Sequence, residues 1–228
     1  MPQSHTPSSS SKLTPAFRFA PVVHLQTGET TNLYVETERR FEDRAVFGPR
    51  AQALFGGPDD AQSPAEWFSD HLETVANEAH KRTTERPVIV SAPLASLIHP
   101  DTAVLCDAAI HRTHLCPQEI CIEVSDAALA LPSKTAQSGI EALRRCGFRV
   151  SVDLTKTWTA PLGSSLRLLF DSLRIDARHL NHEPDLNKRV EAANASGMYV
   201  IAENAPWRDG DYLASLGVDY GIRPRADA

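Results

Sequence analysis

Short apolar runs alternate with longer amphipathic ones along this chain, and the alternation predicts strands and helices in turn. Phe19 to Leu25 and Asn32 to Glu38 are two extended runs around Gln26-Thr27-Gly28-Glu29, which predicts an opening hairpin. Residues 41–62 carry Gly, Pro and Asp clusters and predict a loop with one helical turn near Arg50 to Phe55. Ser63-Pro64-Ala65-Glu66 then reads as a helix start, with Ser63 as cap, Pro64 at the first helical position and Glu66 closing a capping box. Trp67, Phe68, Leu72, Val75 and Ala79 form the apolar face of that helix. Val88-Ile89-Val90 predicts a buried strand, and Asp101 to Leu115 a helix.

The pattern then becomes regular. Strands are predicted at Glu119 to Val124, Arg149 to Leu154, Leu173 to Asp176, Tyr199 to Ala202 and Val218 to Ile222. Between them lie predicted helices at Ser133 to Cys146, Leu162 to Phe170, Asp185 to Ser196 and Asp209 to Leu216. Gly147, Gly197 and Gly217 each follow a helix, where a left-handed residue stops it. Repeated βα units require a parallel sheet. A hairpin followed by about six strands suits a closed α/β barrel better than an open sheet. Residues 1–15, rich in Ser, Pro and Thr, are expected to be a disordered tail, and residues 16–228 a single domain.

Composition narrows the function classes. The 228 residues are 42% hydrophobic, enough for a substantial core. A net charge of −6 argues against nonspecific binding to DNA or an anionic membrane. No apolar run is long enough to span a bilayer, and there is no signal-like core at the start, so a cytoplasmic location is expected. Neither GxGxxG nor GxxxxGK[ST] occurs, which weakens dinucleotide and nucleoside-triphosphate readings. Cys106, His111, His114 and Cys116 cluster in sequence, but their spacing fits no common zinc module, and buried thiols are the simpler reading. Ser91, Ser125 and Ser151 lack a local His–Asp pattern for nucleophilic catalysis.

Acidic residues close several predicted strands. Asp153, Asp176 and Glu203 stand at or near such carboxyl ends, where α/β barrels keep their chemistry. In this setting a set of motifs resembles the EAL domain family, the cyclic di-GMP phosphodiesterases. Phe19-Ala20-Pro21-Val22-Val23-His24-Leu25-Gln26-Thr27-Gly28-Glu29 is similar to YQPIVDLKTGE, and Ile122-Glu123-Val124-Ser125-Asp126 to LEITES. Leu173-Arg174-Ile175-Asp176 is similar to LKID, Val200-Ile201-Ala202-Glu203 to VVAEGVE, and Leu216-Gly217-Val218-Asp219-Tyr220-Gly221 to LGCDYGQGY. The resemblance covers residues 17 to 222 and implies a modified TIM (β/α)8 barrel whose first strand is antiparallel.

The resemblance also implies a chemistry and its loss. Active members use two divalent cations to activate water and stabilise the phosphodiester, and such cations need converging oxygen ligands. Glu123, Asp153, Asp176 and Glu203 retain acidic positions of that set. Tyr34 stands at the glutamate of EAL, with Glu36 two residues on; Glu38 replaces a phosphate-binding arginine and Ile89 an asparagine ligand. Leu154 replaces the bridging aspartate of DDFGTG, Arg174 the catalytic lysine, and Ile222 the glutamine of QGY. The expectation is a vestigial site without catalytic residues and without a cofactor, a single weak magnesium at Glu123 and Asp153 being the alternative. Arg174 is expected to pair with Glu123, Asp153 or Glu203.

Three functions follow from the resemblance. The first is an inactive regulator that docks on a protein partner in cyclic di-GMP-linked signalling of the motility, biofilm or cell-cycle type, with Phe47, Leu54 and Phe55 of the 41–62 insertion as a contact surface. The second is a receptor that binds cyclic di-GMP without cleaving it, through Lys156, Trp158 and Arg174. The third is a weakly active phosphodiesterase.

Overall fold

The structure, a computed structural model, describes residues 16–41, 44–47, 62–130, 134–158, 167–205 and 209–223. The expectations for residues 1–15, for the helical turn at 50–55 and for most of the 162–170 helix fall outside these. β1 (Ala16–His24) and β2 (Thr30–Phe41) form the predicted hairpin. β3 (Arg44–Phe47) extends β2 antiparallel, so part of the segment read as loop is a strand. β4 (Val88–Ser91), β5 (Ile120–Ser125), β6 (Arg149–Asp153), β7 (Ser172–Asp176), β8 (Tyr199–Glu203) and β9 (Tyr220–Ile222) follow. β2, β4, β5, β6, β7, β8 and β9 run parallel in that order, and β1 pairs antiparallel with both β2 and β9. The sheet thereby closes into a barrel, which removes the open edges of a flat sheet.

Period-two alternation decides what faces where. On β5, Ile120, Ile122 and Val124 pack outward into the main core, while Cys121 and Glu123 face the lumen. A small apolar plug of Ala20, Val22, Ile89, Cys121, Ile201 and Ile222, with Tyr34 and Tyr220 against it, fills the lower lumen. The larger core lies between barrel and helices.

The first helix, α1 (Pro64–Arg82), begins with the predicted capping box: Glu66 N–H donates to Ser63 Oγ at 3.2 Å and Ser63 N–H to Glu66 Oε2 at 2.8 Å. Phe68, Leu72, Val75 and Ala79 are buried as expected, while Trp67 is half-buried and stacks on His71 at 5.4 Å. α2 (Leu94–Leu97) and α4 (Asp126–Leu129) are single turns after β4 and β5, too short to leave a periodic signal. α3 (Thr102–Ile110) stops short of the predicted Leu115. The Thr113 hydroxyl donates to Ile110 O at 2.8 Å and accepts from Leu115 N–H at 3.1 Å, so a side chain takes over backbone partners that the helix needs. α5 (Thr135–Arg145), α6 (Pro184–Asn194) and α7 (Gly210–Ser215) match their predicted spans to within a few residues, and Gly147, Gly197 and Gly217 all have positive φ behind them. No helix among the described residues is long and apolar enough to cross a membrane.

Candidate functional site

The parallel strands deliver their charged residues to one rim because each lies at an inward position near a carboxyl end. β5 brings Glu123, β6 Asp153, β7 Arg174 and Asp176, and β8 Glu203. Arg174 stands at the centre, with its side chain 7% exposed. Its Nε donates to Glu123 Oε1 at 2.8 Å and its Nη2 to Glu123 Oε2 at 2.9 Å, a two-pronged contact matched to the flat guanidinium. Nη2 also lies 2.9 Å from Asp153 Oδ2, and Nη1 donates to Glu203 Oε2 at 2.5 Å. All three nitrogens of the side chain are engaged, and Arg174 meets each of the three acids named as alternatives.

Tyr34 completes the arrangement. Its ring lies against the guanidinium, 4.6 Å from Cζ, where the negative face of the π-system attracts the cation. Its hydroxyl donates to Glu123 Oε2 at 3.2 Å and lies 3.2 Å from Ser91 Oγ, which donates to the same oxygen at 2.8 Å. Burial, reinforced by the charge of Glu123, pushes the phenol well above its usual range, so Tyr34 stays a neutral donor. Ser91 carried no motif. Its register beside Glu123, two residues after inward-facing Ile89, exists only in the folded sheet.

One cation serves three carboxylates, and the titration of the rim reflects that imbalance. Burial alone would depress Arg174, but the carboxylates of Glu123 and Asp153 outweigh it and hold the guanidinium firmly charged. Glu203 is raised, first by burial, and the repulsion of Asp153, Asp176 and Glu123 adds to it against the pull of Arg174. The two directions agree once the guanidinium is seen as shared.

The other predicted positions divide. Asp176, 3% exposed, stands apart from the Arg174 group. It accepts from Arg178 Nε at 3.0 Å and Nη2 at 2.5 Å, and from Asn204 Nδ2 at 3.0 Å. Burial disfavours its charge, yet these donors prevail and hold its carboxyl below the usual aspartate range. Ile89 and Ile222 belong to the apolar plug. Leu154 is fully buried in the core between barrel and helices, away from the lumen. Glu38 lies on β2 opposite Ala16 and Phe47. Glu36 faces the rim as its parity required and pairs with Arg18.

Above Arg174 a cavity of about 490 Å³ remains, lined among others by Tyr34, Ser91, Glu123, Asp153, Lys156 and Glu203. Lys156 is exposed there. Trp158, expected to join it, does not line the cavity; its ring packs against His179 at 5.4 Å and on the helix-side core. Of the sequence cluster at 106–116, Cys106 is buried and its thiol pushed up to about 12 by burial, Cys116 is exposed, and His114 stacks on His80 at 4.5 Å. Among the described residues no three His, Cys, Asp or Glu are arranged to hold a metal ion.

The fold is the one that EAL domains share. This chain is similar to the EAL enzyme Bd1971, solved bound to cAMP and cyclic di-GMP, at 17% identity and a TM-score of 0.68 over 91% of this chain and 60% of that one. It is similar to the EAL domain of DcpA from Mycobacterium smegmatis at 18% identity and a TM-score of 0.67, covering 92% of this chain and 90% of that one. It is also similar to the S helix-GGDEF-EAL portion of LapD from Vibrio cholerae, at 13% identity and a TM-score of 0.73, covering 91% of this chain and 52% of that one. No protein-family sequence model and no curated protein sequence matches the chain. The class is therefore a modified TIM barrel with one antiparallel strand, and within that class the architecture is EAL-type.

The residues present do not fit the two cations that the sequence resemblance implies. Ile89 and Leu154 offer no oxygen, Tyr34 keeps its proton, and Glu123, Asp153 and Glu203 are turned onto a guanidinium.

Proposed function

We propose that this chain is an EAL-type barrel that does not hydrolyse cyclic di-GMP and acts by docking on a regulatory protein within cyclic di-GMP-linked signalling. The observation that carries this reading is Arg174, whose three nitrogens occupy the carboxylates that would otherwise ligate cations. In-line displacement needs a cation-activated water and charge relief on the phosphodiester. Arginine supplies fixed charge here but, with a pKa held above its already high normal value, no route to accept or pass a proton. Docking leaves the barrel as a rigid scaffold and asks nothing of the rim chemistry. Part of the 41–62 segment proposed as contact surface is β3, and the rest lies outside the described residues.

A second reading, a receptor that binds cyclic di-GMP intact, is favoured by the surviving cavity and the exposed Lys156 at its wall. The surplus acid of the rim opposes it, since a dianionic ligand would meet Glu203 and Asp153.

One experiment tests both. The protein is incubated with cyclic di-GMP and Mg²⁺ or Mn²⁺ and the linear dinucleotide product is followed, with calorimetry in parallel. The expected result is no product above the protein-free control and no binding tighter than about 10 μM, an affinity of roughly 7 kcal/mol. Product formation abolishes the proposal; tight binding without product selects the receptor reading.

A further inference from the structure

The guanidinium of Arg174 does more than fill a lost site. We propose that Arg174 is the resident cation of this barrel: a tethered group that takes over the structural task of bound divalent ions and makes the rim geometry independent of them. The inference rests on the non-hydrolysing reading of the same rim, yet it can fail separately.

The geometry supports it at each contact. Three carboxylates from three strands converge within 2.5–2.9 Å of one flat cation, so without it they would face each other unscreened. Like charges gathered in a half-buried place repel strongly, and such a place needs a counterion of some kind. Tyr34 and Arg174 act as a pair in meeting that need. The phenol offers its π face to the cation and its hydroxyl to Glu123, two contacts that a carboxylate at position 34 could not make together. A carboxylate there would add a fourth negative charge, which suits a divalent ion rather than a single guanidinium. Ser91 and the Thr155 N–H, 2.8 Å from Asp153 Oδ1, absorb further lone pairs. A lysine could not replace Arg174 in this role, because one ammonium cannot present three nitrogens in a plane. Whatever surface the rim offers a partner is thus set by the chain itself and not by the supply of Mg²⁺ or Mn²⁺.

Thermal unfolding of the full chain tests this. Wild type is expected to melt at the same temperature, within about 1 °C, in EDTA and in millimolar Mn²⁺. Arg174→Ala is expected to melt about 8 °C lower in EDTA, from the loss of a buried charge partner in a protein of this size. In that variant, added Mn²⁺ or low millimolar guanidinium chloride should recover at least half of the loss, because the three acids regain a counterion. A wild type stabilised by several degrees on adding Mn²⁺ overturns the proposal. So does an Arg174→Ala protein that melts the same in EDTA, Mn²⁺ and guanidinium, and this second failure leaves the hydrolysis assay and the reading it tests untouched. If Arg174→Ala does not fold, Glu203→Gln decides: it leaves the guanidinium with two carboxylates and should remain indifferent to Mn²⁺, whereas Mn²⁺-dependent stabilisation of it counts against the tethered cation.

Discussion

Tyr34 and Arg174 lie far apart in sequence, and each alone reads as a damaged position. In the folded barrel they form one unit, ring against guanidinium, with Glu123 bonded to both. No spacing rule could have paired them, because a parallel barrel joins residues through register between strands and not through distance along the chain. The acids were legible because each ends a short apolar run. The hydroxyl of Ser91 was not, since serine at a strand end has no chemical signature until its neighbour is known. Tyr34→Phe separates the two duties of the tyrosine: the ring contact with Arg174 stays and the hydroxyl is lost. Removing a donor from a buried carboxylate costs about 1–3 kcal/mol, so the midpoint of unfolding is expected to fall by roughly 3–9 °C. An unchanged midpoint in calorimetry would mean that the hydroxyl bonds carry no weight.

Asp176 contributes stability that acid removes. Its carboxyl titrates lower in the folded chain than in the unfolded one, so its stabilisation is complete above the ordinary aspartate value and drains away as pH falls through the depressed one. Glu203 has the opposite sign: raised in the folded chain, it favours folding more as pH falls. Asp176→Asn should therefore flatten the acid limb of stability, measured as urea midpoints between roughly pH 2 and 5. Equal slopes for variant and wild type would show that the Arg178 and Asn204 contacts do not bias this carboxyl.

At the scale of elements, periodicity and caps placed most of the barrel. Strands of four to six residues were found because each is a short apolar run bounded by turn or helix signals. Single-turn helices were missed for the converse reason, and β3 was hidden among loop-forming residues. One close approach could not be read at all. A Cβ on Gly139 of α5 would stand 2.2 Å from the Leu97 carbonyl oxygen of α2, so the glycine is what lets that helix lie against the turn after β4. Gly139→Ala must shift α5 and is expected to cost about 1–3 kcal/mol, seen as a lower urea midpoint with an unchanged slope. Gly197→Ala is its control, strained at φ +74° but with open space around the new carbon. If the two cost the same, helix separation is not limited at Gly139.

For the whole molecule, closure depends on β1, which runs against its two neighbours and seals β2 to β9. That reversal also decides where the chain enters the barrel. Ala16 pairs with Glu38 beyond Glu36, at the end of the barrel where the cavity opens, and not at the opposite floor. A module spliced ahead of residue 16 would consequently hang over the mouth, confined there at high local concentration without any affinity of its own. A reporter or capture handle joined directly at residue 16 would shadow the very entrance it is meant to survey.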